Sequence, residues 1–223
     1  IIDIGAYSSR PGAQNISDRE ELRRLLPAIQ LVRKTFPESI ISVDTFRSNI
    51  AKIVVNDCEA DIINDITGGN ADKKMFSTIA DLKVPYCMMH MRGTPENMQE
   101  FTNYDDILKE IILYFAEKIS VATKEGINDI IIDPGFGFSK TVDQNYVLLK
   151  ELHKFNIIDC PLLVGISRKS MIYKVLNSSP EDVLPATTAL HVVALQNGAD
   201  ILRVHDVKDA VQAVQMFLKL NEC

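Results

Sequence analysis

Asp3, Asp44, Asn64, His90, Asp133, Ser167 and His205 recur along the chain, each closing a short run that is otherwise apolar. A carboxylate or amide at the end of a buried run costs desolvation energy unless a donor or ligand meets it. Taken singly, Asp44, Asn64 and Asp133 suit helix caps or mutual pairing. Taken together around one cavity, they suit a flat ligand with an amino group and ring N–H donors. Arg203 and His205 fall on the same side of their run by two-residue alternation. An Arg among Ile201, Leu202 and Val204 needs an anionic or aromatic partner. That pair points to a phosphate or diphosphate, with an ion pair to Asp206 as the structural alternative. Three loops add weaker signals. Gly165-Ile166-Ser167-Arg168-Lys169-Ser170 sets two cations and hydroxyls before a helix, which reads as an acidic-ligand site or as a surface pair. In Asp133-Pro134-Gly135-Phe136-Gly137-Phe138 the glycines let backbone approach a ligand and Phe138 can stack on it, unless this is a plain turn with core aromatics. Ser8-Ser9-Arg10-Pro11-Gly12 reads as a mobile anion-handling loop or an ordinary connection with one solvated Arg. His153 reads as a surface residue, His191 as packing, and His90 as lying near the cavity without a catalytic role.

The elements that must position these residues repeat one pattern: apolar run, polar loop, amphipathic helix. The runs are Ile1–Gly5, Ile40–Thr45, Asp61–Thr67, Pro85–His90, Asp129–Gly135, Pro161–Ser167 and Asp200–Asp206. Continuous apolarity, without alternation, is expected of parallel strands covered on both faces. Ser17 and Glu20 form a capping-box pattern before a helix that Pro27 should bend. A second helix is expected over Tyr104–Glu125 with Gly126 as its stop, and a third from Pro180–Glu181 to Gly198. Polar groups at nearly every strand tip favour an α/β fold of the (β/α)8 TIM-barrel type over an open sheet with one switch point. Seven units are visible and the chain opens with Ile inside a strand, so the first strand–helix unit is expected to precede Ile1 and to be missing here. No linker divides residues 1–223, which read as one domain. A formal charge of −6 argues against a nucleic-acid surface, and no apolar run approaches the roughly 20 residues of a membrane span. Cys58, Cys87, Cys160 and Cys223 lack paired or zinc-type spacing and read as reduced thiols of a cytoplasmic protein.

In order, Asp3-Ile4-Gly5, Ser8-Ser9-Arg10-Pro11-Gly12, Ser42-Val43-Asp44-Thr45, Ile63-Asn64-Asp65, Met89-His90-Met91, Asp133-Pro134-Gly135-Phe136-Gly137-Phe138, Gly165-Ile166-Ser167-Arg168-Lys169-Ser170 and Arg203-Val204-His205-Asp206-Val207 resemble the signatures of dihydropteroate synthases, and they span essentially the whole chain. The resemblance implies a pterin-binding barrel transferase of folate biosynthesis, the sulfonamide target, joining a hydroxymethyl-dihydropterin diphosphate to p-aminobenzoate. It implies that Asp44, Asn64 and Asp133 hold the aminopyrimidine edge of the pterin, with Met89 among the pocket residues. Lys169 reaches the pterin from the other side, Gly165 lies beneath it and Arg203 stacks on its face. Arg203 and His205 form the diphosphate site, and Asp44, Lys169, Arg203 and His205 are the implied catalytic set. Ser9, Arg10 and Pro11 match a loop folding over p-aminobenzoate, with Phe138 and Ser170 in its pocket. Magnesium is the implied cofactor, with its Asn ligand in the missing N-terminal segment and no metal ligand in this chain, which leaves the activity of the chain as it stands open. A homodimer is the implied assembly. Ala6 stands where the family has a second glycine and Ser9 where it has threonine. The alternatives are a pterin-dependent methyltransferase, a non-catalytic pterin-binding paralogue, and a Schiff-base aldolase acting through Lys169.

Overall fold

The computed structural model describes residues 1–8 and 14–222. All seven expected runs form strands: β1 Ile2–Gly5, β2 Ile41–Asp44, β3 Ile62–Asp65, β4 Tyr86–Met89, β5 Ile130–Asp133, β6 Leu163–Val164 and β7 Ile201–Leu202. Every pairing is parallel. Strands β1 to β5 make one sheet in chain order, and β6 pairs with β7. A single bridge from Ile132 to Leu162 joins the two. Among the described residues, β7 and β1 do not pair with each other, so the barrel stays open along that seam.

Helices α1 Asp18–Thr35, α2 Ser48–Cys58, α3 Met75–Leu82, α4 Ile107–Glu125, α5 Val142–Lys150, α6 Ser170–Tyr173, α7 Leu184–Gln196 and α8 Val207–Asn221 follow the strands. Ile41, Val43, Ile63, Met88, Ile132 and Val164 are fully buried between strands and helices, in one cluster with Leu25, Ile29, Ile79, Ile111 and Phe115. Apolar side chains pack the strands against the helices, and most of the polar groups that the sheet carries, Asp44, Asn64, Asp65 and Asp133 among them, lie toward the C-terminal ends of the strands.

The helix ends differ from the sequence expectation in instructive ways. Ser17 Oγ accepts the Glu20 N–H at 3.3 Å, but the Glu20 carboxylate turns to Arg23 and Arg24, so the capping box is half formed. Pro27 is accommodated and α1 runs on to Thr35. Helix α4 starts at Ile107, capped by Asp106, because Tyr104 is drawn away to donate its hydroxyl to Ser139 O. Helix α7 starts at Leu184: the carbonyls of Pro180 and Glu181, which a helix would consume, instead accept Arg168 Nη1, each at 2.7 Å.

Candidate active site

Parallel register sets the acceptors. Asp44 pairs across to Gly5 on one side and to Asn64 on the other, while Met89 stands opposite Asp133. Their side chains line one cavity of about 340 Å³, together with Asp3, Gly5, Tyr7, Ser8, Ile66, Phe138, Gly165, Lys169 and Arg203. The neighbouring Asp65 points away: its carboxylate accepts Thr67 N–H, Thr67 Oγ1, Gly69 N–H and Tyr86 Oη, a purely structural role. Asp133 Oδ1 accepts the Gly135 N–H at 2.7 Å. Burial pushes Asp133 upward in pKa, and Lys169 opposes it most strongly, followed by that N–H, Lys140 and Arg203. Asp44 is pushed up to about 7, first by burial and then by the charge of Asp3, with Arg203 pulling the other way. A carboxyl in that range still carries its proton over part of the neutral region, and losing it makes both oxygens strong acceptors for ligand N–H groups.

Cations form the opposite wall. Lys169 Nζ donates to Phe136 O at 2.6 Å and sits 4.9 Å from the centre of the Phe138 ring. Burial brings its pKa down to about 8 against the pull of Asp133. Arg203 follows β7 immediately; its Nε donates to Asp3 Oδ2 at 2.7 Å and its Nη2 lies 3.6 Å from Asp44 Oδ2. Asn64 Nδ2 also reaches Asp3 Oδ2, at 3.4 Å. The site residues thus touch one another lightly, and the cavity between them stays open.

Most of the residues singled out from sequence converge here: Asp44, Asn64, Met89, Asp133, Phe138, Gly165, Lys169 and Arg203 share the one lining. His205 does not. It lines the adjoining cavity of about 680 Å³, which Arg203 also borders, and its Nδ1 lies 3.0 Å from Ser167 Oγ. Ser170 opens α6 outside both linings. Ser9, Arg10 and Pro11 fall outside the described residues. The adjacent cations Arg168 and Lys169 part company: Arg168 holds Asp206 through Nε and Nη2, each at 2.8 Å, so the partner of Asp206 is Arg168 and not Arg203. Among the described residues, no three His, Cys, Asp or Glu side chains are arranged to hold a metal ion, and Asp3 and Asp44 face Arg203. These groups do not fit a protein-held magnesium ion.

Some lining residues have no site role in the sequence reading. Asp3 stands there as a strand-tip polar residue and as part of the first motif, without a place in the site; its Oδ1 is buried with no hydrogen-bond partner among the described residues. Tyr7 carried no signal in sequence. Its ring meets Phe46 edge-on at 4.9 Å, with the Arg47 guanidinium 5.6 Å away.

Comparison with known proteins gives the family and the fold. The sequence model described as "pterin binding enzyme" matches residues 1–205. The dihydropteroate synthase of Escherichia coli K12 is 42% identical over 97% of the chain and 76% of its own length. The folic acid synthesis protein fol1 of Pneumocystis carinii is 43% identical over 97% of the chain, which spans only 30% of that longer protein. In structure, the Yersinia pestis dihydropteroate synthase with a sulfonamide drug complex superposes with a TM-score of 0.95 at 38% identity, covering 100% of this chain and 80% of that one. The Xanthomonas albilineans dihydropteroate synthase with 4-aminobenzoic acid gives 0.92 at 35%, covering 99% and 79%. With acceptors, cations and glycine floor gathered in one cavity of a parallel β/α barrel, and likeness at this level over nearly its whole length, the chain belongs to the pterin binding enzyme family.

Proposed function

We propose that this chain carries the site of a dihydropteroate synthase, a transferase of folate biosynthesis that joins a dihydropterin diphosphate to p-aminobenzoate. The observation that carries the proposal is the cavity: acceptors from the tips of β2, β3 and β5 face cations from the β6 and β7 ends across a space of about 340 Å³. A planar pterin offers N–H and amino donors to Asp44, Asn64 and Asp133, and an acceptor edge to Lys169. Gly165 leaves room beneath the ring. The arylamine approaches beside Phe138, and the relatives solved with 4-aminobenzoic acid and with a sulfonamide support an aromatic amine as second substrate.

The chemistry follows from charge placement. The bond from the exocyclic methylene to diphosphate oxygen breaks, and both electrons leave with the oxygen. The electron-rich dihydropterin delocalises the cation that remains, and the arylamine nitrogen lone pair forms the new C–N bond before the amine gives up a proton. No nucleophilic side chain is needed; the protein contributes orientation and a preset field. Arg203 meets the departing charge from the cavity rim, with His205 behind it in the adjoining space. Magnesium would enter with the diphosphate and would supply countercharge to it, and no step is routed through it.

Mutation of Arg203 tests the assignment. Arg203→Ala should lower kcat/KM at least 100-fold, the size seen when a preorganised charge partner is removed, and should weaken diphosphate binding. Full activity and unchanged diphosphate affinity in that variant would refute the role. Pterin binding without turnover, measured on the same chain, would favour a binding module.

The proposal extends to assembly and compartment. A homodimer is proposed from the family resemblance alone; sedimentation as a monomer at micromolar concentration would count against it. Cys58, Cys87 and Cys160 are free, as in a cytoplasmic protein, and no helix among the described residues is long and apolar enough to cross a membrane.

A further inference from the structure

Lys140 is 3% exposed, lies next to the site and has no part in the chemistry above. Its Nζ is surrounded by acceptors: Phe138 O at 2.9 Å, Gly135 O at 3.0 Å, His90 Nδ1 at 3.1 Å and His90 O at 3.4 Å. Three of the four are carbonyl oxygens and can only accept; with the His90 proton on Nε2 the fourth accepts too, and the set then suits an ammonium. His90 can accept because it is neutral: burial, then the charges of Lys140 and Arg92, bring its pKa down to about 2. Two of the four partners belong to the loop joining β5 to α5, which carries Phe138 and begins at Asp133. The other two belong to the residue that ends the β4 run. The seat is tight, since a Cβ on Gly135 would come within 2.1 Å of His90 O.

We propose that Lys140 is a positioning residue for the pterin site: its buried ammonium fastens the β5–α5 loop to the end of β4 and supplies fixed positive charge behind the Asp133 carboxylate. The proposal rests on the pterin reading of the cavity. The charged groups acting on Asp133 are Lys169, Lys140 and Arg203, beside the Gly135 N–H. Those acting on Lys140 are Asp133, Lys169 and Arg92, with the His90 ring in contact. Burial pulls Lys140 downward in pKa, and Asp133 is the group that opposes it. Lys169 shares the work from the cavity side, but it must also meet the ligand. Lys140 is out of reach of the ligand and is free to hold the carboxylate and the loop together.

The test uses Lys140→Met, which keeps the stem, and Lys140→Gln, which keeps two N–H donors for the carbonyls but removes the charge. Binding of a hydroxymethylpterin is measured by calorimetry, and the Asp133 carboxyl is titrated by carbon-13 NMR, assigned with Asp133→Asn. Both variants should weaken pterin binding about tenfold or more, and the Asp133 midpoint should move up from its place in the unmutated chain. A role confined to stability would lower Tm and leave that midpoint in place, which would overturn the inference. So would failure of both variants to fold, since Lys140 would then be a residue of the fold alone. If the unmutated chain binds no pterin, the functional reading fails instead, and the NMR titration still decides whether Lys140 sets the charge of Asp133.

Discussion

At the scale of single residues, Asp44 sets the expected pH behaviour. Its folded pKa, about 7, lies above the roughly 3.9 of an unfolded Asp. The folded state therefore prefers the protonated form. Any stability tied to this group is present at acid pH and is lost as pH rises from about 4 through 7. A pterin inverts the preference, because its N–H donors favour the carboxylate. Binding below pH 7 should therefore release close to one proton, and affinity should fall up to tenfold per unit as pH drops further. Calorimetry in buffers of different ionisation enthalpy reads the proton directly. A proton count near zero at pH 6 would mean that Asp44 has the same protonation state with and without pterin, and the inversion would be wrong. Asp44→Asn separates the two roles: above pH 7 it should raise stability by on the order of 2–4 kcal/mol while pterin binding is lost. The site holds this carboxyl against its own stability, as functional groups with displaced pKa values commonly do.

At the scale of elements, the strands were legible throughout and the loops only at the motif residues Phe138, Gly165 and Lys169. A run such as Ile130–Asp133, apolar up to a carboxylate, has one physical reading: a covered strand that delivers its last side chain to a rim. Seven such runs give the barrel and most of the cavity. Tyr7, by contrast, is held at the cavity by residues that are not its sequence neighbours, its ring against Phe46 and Arg47 and its hydroxyl on the Asn15 side chain. Arg168 and Lys169 are adjacent in sequence yet face different partners, because Arg168 adopts φ 52 and the chain turns between them. His205 lies with Arg203 on the adjoining cavity and not in the smaller one, since alternation fixes direction and not depth. Two glycines show how loops divide their work. Gly135 has φ +72 and no room for a Cβ, whereas a Cβ on Gly165 would meet Arg203 Cβ and Lys169 Nζ at an ordinary 3.8 Å. Gly135→Ala should cost several kcal/mol of stability through strain and a backbone clash. Gly165→Ala should leave Tm within a few degrees and put its methyl into the pterin space, weakening binding about tenfold or more. Thermal melts beside pterin titrations distinguish them, and a Gly165→Ala protein that bound pterin normally would remove Gly165 from the site.

At the scale of the whole molecule, the site straddles a weak seam. Asp44, Asn64 and Asp133 belong to the five-stranded sheet, while Gly165, Lys169 and Arg203 hang from the β6–β7 pair. The two sheets meet through the Ile132–Leu162 bridge, and β6 and β7 pair over only two residues each. The Ile132 N–H bonds Pro161 O at the join to β5, while the Asp200, Ile201 and Arg203 N–H groups bond the Leu162 and Val164 carbonyls and so tie β7 to β6 within the pair. Across the cavity itself, the Arg203–Asp3 ion pair is the strongest tie between the sheets, and it is partly exposed. Strands β2 to β4, each paired on both sides, should therefore open only with global unfolding, while β6 and β7 open at lower cost. Hydrogen exchange reads this as faster exchange at Val164, Leu202 and Arg203 than at Val43, Ile63 and Met88. A pterin gripping acceptors of one sheet and cations of the other would act as a strut, and its binding energy should appear selectively in the slowed exchange of β6 and β7. Protection that rose equally in every strand, or only around β2 and β3, would mean that the ligand sits on one sheet and that the cations across the cavity do not hold it.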